Sequence, residues 1–241
     1  VPRSPNYSPP TLLQMREALS RTLRDPGGSV FGTDTLNDFV AEGLMSMSGY
    51  RPIEHGETVV FDPAVPGDMQ AVEPASLSSV WQVVVRDDAN PTAMNQALIL
   101  PYTGPDQSAM QVGWDFHSGR LYLGRWAANQ MDAWAQHIGA PLSLVMYGYR
   151  DRHLPTDDAE VLDLEDGTDQ LCLTRECRAL GFQLLNNDRA LYQQWLAATN
   201  NTDVSPTQIQ GMLGSALNDV ERQRKRSAIL RRTPTVGPQY L

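Results

Sequence analysis

Two sets of apolar residues at helical spacing, one towards each end of the chain, constrain the fold more than any other feature. Leu12, Met15, Leu19 and Leu23 recur along one face of a helix. An Asp25–Gly28 DPGG break follows, and then a second stripe of Leu36, Phe39, Val40, Leu44 and Met47, begun near Thr33 or Asp34 and ended by Gly49 and Pro52. The texture returns late in the chain. Leu171, Arg175, Arg178, Phe182 and Leu185 fit a helix over 168–186, and Asp188 caps a short helix holding Leu191, Tyr192, Trp195 and Leu196. Ser205-Pro206-Thr207-Gln208 reads as a capping box with proline at the first helical position, after which Ile209, Leu213, Ala216, Leu217 and Val220 continue a stripe. Neither half buries its stripe alone, and helices of this length are marginal in isolation. The two halves are therefore predicted to pack as one bundle.

Between them, from Pro52 to about Arg150, the segments are short, β-rich and cut by Gly and Pro. Strands are expected at Thr58–Phe61, Ser79–Arg86, Ala97–Pro101, Met110–Phe116, Leu121–Gly124 and Leu142–Tyr149, with a hairpin turn over Phe116–Arg120 and a short helix over Ala127–His137. The strand around Val83 is apolar on both faces and so belongs inside a sheet. The expected class is α+β: a helical bundle formed by the N- and C-terminal segments, an inserted antiparallel β lobe, and extended terminal arms. The divisions are 1–52 for the N-terminal arm and helix pair, 53–155 for the β lobe, 156–230 for the C-terminal helices and 231–241 for the tail. Residues 1–10 carry four prolines, and the closing TPTVGPQYL holds too little apolar surface to bury itself.

Composition excludes several classes. Hydrophobic residues make up 41%, which with 18 glycines is an ordinary globular content, so disorder throughout, collagen and coiled-coil fibre are excluded. No apolar run approaches the ~20 residues of a membrane helix, and VPRSPNYSPP lacks the apolar core of a secretory signal. A net charge of −9 argues against a protein whose whole surface grips nucleic acid. The charge is unevenly spread: residues 219–241 carry six basic and two acidic residues, while residues 151–169 carry eight acids and one arginine. Lys225 is the only lysine. Cys172 and Cys177 diverge by roughly 140° on a helix, too far apart for a disulfide or a shared metal, and suit a reducing compartment.

Catalytic motifs are missing. The chain has no phosphate-binding loop, no strand-borne GxGxxG and no GxSxG. His55, His117, His137 and His153 lack zinc-pair spacing. The acidic run fails the calcium-loop template, because Gly167 at position six would put Leu162 and Leu164 where carboxylates are needed. Five tryptophans suit sugar stacking, or more simply core packing. The cluster Arg222–Arg226 with Arg231 and Arg232 suits phosphates, or equally an acidic protein, and lacks the interleaved aromatics of a nucleic-acid surface. No catalytic residue, metal or cofactor is expected.

The opening TLLQMREALSRTLRDPGGSVFGTDTLNDFVAEGLMSMSGYRP resembles the head-to-tail adaptor (connector) proteins of tailed bacteriophages: a short leucine-patterned helix (Leu12–Leu23), an Asp-Pro/Gly turn (Asp25–Gly28), and a helix opened by Thr33–Asn37 that ends shortly before Pro52. The β section, closing in Tyr147-Gly-Tyr-Arg150 with Leu154, Asp157 and Asp158, is similar to the insertion of larger adaptors, though here it is about 100 residues long. The resemblance implies a non-enzymatic virion protein. It is made in the bacterial cytoplasm and placed in the neck as a homo-oligomeric ring, typically a dodecamer. Its implied partners are the portal above and a stopper or tail protein below, with genomic DNA passing through a negative lumen without sequence-specific binding and with no membrane contact. On this reading Arg222, Arg224, Lys225, Arg226, Arg231 and Arg232 dock on an acidic portal surface, with Tyr240 and Leu241 in apolar clefts between portal subunits. Residues 222–232 are then expected to face away from the chain's own core, and 151–169 to face the lumen or open solvent. Alternative classes are a β-rich stopper or tail protein of the same virion, or a hydrolytic or glycan-binding enzyme domain.

Overall fold

The computed structural model describes residues 7–25, 27–61, 73–87, 98–100, 102, 113–124, 129, 131, 133, 142–199 and 204–228. They form two compact units, divided at Pro52/Ile53 and at Asp151/Arg152. The first unit is built from both ends of the chain and holds five helices: α1 (Leu12–Thr22), α2 (Thr33–Tyr50), α3 (Gly167–Asn187), α4 (Arg189–Ala198) and α5 (Pro206–Ala228). The second is antiparallel β structure: β1 (Ile53–Phe61), β2 (Leu77–Asp87), β3 (Leu98–Leu100), β4 (Trp114–His117), β5 (Arg120–Leu123) and β6 (Leu142–Arg150).

In the helical unit, local chemistry sets each boundary. Thr11 and Gln14 close a reciprocal capping box at α1. The DPGG stop works through Asp25, whose carboxylate accepts from the N–H groups of Ser29, Val30 and Phe31 and from the Ser29 hydroxyl. Arg24 and Gly28 turn the chain with positive φ. Asp166 caps α3 and Asp188 caps α4. The predicted Ser205/Gln208 box forms at α5, with Ser205 N–H donating to Gln208 Oε1 at 2.8 Å.

The stripes meet in one core that includes Met15, Leu19, Phe31, Val40, Leu44, Met47, Leu173, Phe182 and Trp195. Two glycines permit its closest approaches. A Cβ on Gly43 of α2 would lie 2.7 Å from Leu173 Cδ1, and one on Gly181 of α3 would lie 2.6 Å from Leu23 Cδ2. Trp195 is fully buried, and its indole N–H donates to Leu23 O at 2.8 Å.

In the β unit the four-stranded order is β1-β6-β2-β3, and β4 pairs with β5 as a hairpin. The Phe116–Arg120 turn has two central residues, Ser118 and Gly119, at φ 52° and 75°, the type I′ geometry that suits the twist of a two-residue hairpin. β2 is interior, as its two apolar faces predict, but it is not regular. Register shifts between Leu77 and Ser79 and between Val80 and Gln82 bring Leu77, Val80, Val83 and Val85 onto the buried face with Leu142, Leu144 and Met146. At the second shift only glycine fits opposite, because a Cβ on Gly148 would collide with the Ser79 carbonyl oxygen.

The β lobe ends earlier than the sequence suggests. Residues 152–155 sit in the helical unit because the Arg152 guanidinium is fully buried there, donating to Asp163 O at 2.6 Å and Arg51 O at 2.8 Å. Most of the helix expected over 127–137, most of the N-terminal arm and the whole 231–241 tail lie outside the described residues. The described end of that arm is tied down: Pro10 O accepts from Leu162 N–H at 2.9 Å, and Thr11 bridges to Val161.

Candidate functional site

The basic end of α5 is the strongest candidate. The sequence reading has residues 222–232 leave the core, and the structure corrects this for the described part. Val220, Gln223, Arg224 and Ser227 follow one another at helical spacing, and all four engage the bundle. Val220, Gln223 and Ser227 are buried. Gln223 Oε1 accepts from Arg175 at 2.9 Å. Arg224 holds both carboxylate oxygens of Glu176 at 3.2 Å, donates to Ser46 Oγ at 2.8 Å, and lies 5.6 Å from the centre of the Tyr50 ring. The core face of α5 thus continues past Val220 in polar residues, a continuation that a search for apolar letters misses. Burial, with Glu176 nearby, pushes the Tyr50 phenol well above the usual tyrosine range.

Arg222, Lys225 and Arg226 remain on the outward side, all exposed. Lys225 pairs with Glu221 at 2.6 Å along the same helix, a contact of little energetic weight at the surface. Cations in the last turn oppose the negative end of the helix dipole. Of the predicted contact set, the structure therefore presents Arg222, Lys225 and Arg226, holds the half-exposed Arg224 against Glu176 and Ser46, and does not describe Arg231, Arg232, Tyr240 or Leu241.

The acidic segment also departs from expectation. Instead of standing free as a negative surface, much of 151–169 is folded onto cations and N–H groups. Asp169 is completely buried, bonded to Arg51 Nε and, at 2.9 Å, to Arg152; Asp166 holds Arg51 at 3.0 Å. Asp169 also accepts from Glu165 N–H at 2.8 Å. Asp158 reaches Arg16 at 2.6 Å, and Glu160 contacts His153 at 2.7 Å. The Glu160 carboxyl is lowered by the Thr156 N–H and by His153, whereas burial raises Glu165. Near this network the Tyr7 phenol is pushed up to about 12, first by burial and then by Asp169 and Asp166. Asp151, Asp157 and Asp158 stay exposed. Sequence reasoning missed the arginines: Arg51 closes α2, more than a hundred residues from its acids, and Arg152, the one arginine inside the acidic segment, turns inward rather than standing on its surface. The available signal was Asp166-Gly-Thr-Asp169, which has the spacing of a helix cap.

No alternative chemistry converges elsewhere among the described residues. A groove of about 550 Å³ between α1 and the start of α2 is lined by Leu13, Arg16, Arg21, Phe31 and Leu36. Arg16 is engaged there by Asp158 and Asn37, and Arg21 by Glu17, so the groove gathers no acid–base pair. Cys172 and Cys177 are free and buried, and burial raises both thiols. Among the described residues no three His, Cys, Asp or Glu side chains are placed to hold a metal ion, and no helix is long and apolar enough to cross a membrane. No family model matches the chain, and no curated protein matches it in sequence.

Proposed function

We propose that this chain is a structural virion protein, the head-to-tail adaptor of a tailed bacteriophage. In this reading it assembles as a ring, typically of twelve copies, beneath the portal, receives a stopper or tail protein below, and lets genomic DNA pass. The observation that carries the reading is the geometry of α5. Arg224 is tied to Glu176, Ser46 and Tyr50, so the helix end is held rigidly while Arg222, Lys225 and Arg226 point outward. Cations preset on a rigid element lose little freedom on meeting an acidic partner. Arg231, Arg232, Tyr240 and Leu241 would extend the same contact. The net charge of −9 supports DNA passage, since like charges keep a duplex from adhering to the bore.

The test is a charge reversal that spares the anchor. Arg222→Glu with Arg226→Glu should leave the protein folded, at a cost of about 1–2 kcal/mol at most, because both positions are exposed and only Arg226 lies in the last turn of the helix. Binding to isolated portal rings should fall by roughly tenfold or more and weaken further with salt. Truncation after Ala228 should give folded protein with the same defect, whereas truncation after Val220 would also strip the packed Gln223, Arg224 and Ser227. Undiminished portal binding by the reversed variant would overturn the reading.

A further inference from the structure

α4 opens against the usual charge preference. Its first residue, Arg189, puts a cation at the positive end of the helix dipole. The cap is made by Asp188, whose carboxylate accepts from the N–H groups of Ala190 and Leu191, so Arg189 adds nothing to it. Arg189 is exposed and, among the described residues, makes no hydrogen bond or ion pair. Neither helix stability nor a described partner accounts for an arginine here.

The position does place Arg189 on the rim of a cavity of about 330 Å³. The floor is apolar: Leu185, Tyr192 and Ile209 line it and are buried, at 2%, 7% and 1% exposure. The Tyr192 hydroxyl is taken up by the carbonyl of Val204 and is not free for a ligand. The rim is polar. Arg189 and Gln193 stand one turn apart on α4, Asn186 comes from the end of α3, and Pro206 from the start of α5. A guanidinium is a fork that matches a carboxylate. A carboxamide carries both donors and an acceptor, the complement of a peptide group. The volume lies at the small end of ligand pockets, which span about 300–1,000 Å³, and suits one or two residues rather than a long segment.

We propose that this cavity binds the C-terminal residue of another polypeptide chain. Its apolar side chain would lie on Leu185, Tyr192 and Ile209, its carboxylate on Arg189, and its last peptide group on Asn186 and Gln193. An internal Asp or Glu would place the charge at the end of the side chain that has to fill the apolar floor. A chain end carries an apolar side chain and a carboxylate on one residue, which is the combination these walls complement. The proposal is independent of the portal reading, which uses the opposite end of α5.

The probe is acetyl-Ala-Ala-Leu with a free carboxylate, titrated into the full chain and followed by amide NMR. It should shift the amides of residues 185–193 and 206–209 saturably. The same peptide with an amidated C-terminus should bind about tenfold or more weakly, because the charge-assisted pair is gone. Arg189→Gln should give a similar loss without unfolding, since the position is exposed, and Arg189→Lys, which keeps the charge but not the fork, should fall between. Acetyl-Ala-Glu-Ala-amide, with its carboxylate on an internal side chain, should not compete. Equal affinity for the free and amidated peptides overturns the proposal. So do undiminished binding to Arg189→Gln, effective competition by the internal glutamate, and the absence of saturable shifts around the cavity.

Discussion

At the scale of single residues, Asp169 has the largest predicted effect. Its carboxylate is wholly buried against Arg51 and Arg152, and Arg152 in turn holds the backbone carbonyls of Arg51 and Asp163. Removing one partner of a buried pair strands the other charges away from water. Asp169→Ala is expected to cost about 3–5 kcal/mol, read as a fall in the urea midpoint. Alkaline pH supplies a second residue-scale test. Tyr7, Tyr50 and Tyr102 are all raised above the ordinary value of 10.0, mainly by burial. A phenol whose folded value is raised contributes stability that is whole below pH 10 and is lost as pH climbs through the folded value, about 12 for Tyr7. Unfolding free energy should therefore decline above pH 10. In tyrosinate absorbance Tyr7, Tyr50 and Tyr102 should ionise late, and their ionisation near pH 10 would contradict the packing around them.

At the scale of elements, one substitution has opposite outcomes in two helices. Gly43→Ala in α2 drives a Cβ to 2.7 Å from Leu173 Cδ1, and overpacking of this kind costs about 1–3 kcal/mol. Gly211→Ala in α5 meets nothing within 4 Å, so it should stabilise by about 1 kcal/mol through helix propensity alone. Chemical denaturation of the two variants compares them directly. Elements were also the most legible level of the sequence. The stripes of α1 and α2, the DPGG stop, the Ser205 box and the 116–120 hairpin all rest on local rules, and each lies where those rules put it. In α3 and α5 the stripes are only partly right, since Leu171 and Leu217 are exposed and α3 buries Cys172, Leu173, Glu176 and Cys177 instead. Legibility ended where the cause was distant. β2 reads as a regular strand because its bulges arise from pairing with β6. The end of α5 reads as free because Glu176 and Ser46, which hold Arg224, are 48 and 178 residues away. The acidic segment reads as open surface for the same reason, since Arg51 lies more than a hundred residues from its partners.

At the scale of the whole molecule, the β unit is entered and left at one place. Ile53 and Arg150 are paired across β1 and β6, while on the helical side Arg152 N–H donates to Ser48 Oγ at 2.9 Å and its guanidinium reaches Arg51 O at 2.8 Å. Replacing residues 53–151 by a short Gly/Ser link therefore closes only a small gap, at a modest entropic cost. The shortened chain should keep a helical circular-dichroism spectrum and unfold cooperatively; an unfolded product would mean that the bundle depends on the lobe. The outward side of α5 has a practical consequence of its own. Lys225 is the only lysine among 241 residues, and its side chain is 75% exposed. Reagents selective for lysine side chains thus have one target in the molecule, so a dye or crosslinker placed there reports on a single known point. A lysine-specific protease likewise has one cut, which releases residues 226–241 and leaves the rest of the chain in one piece.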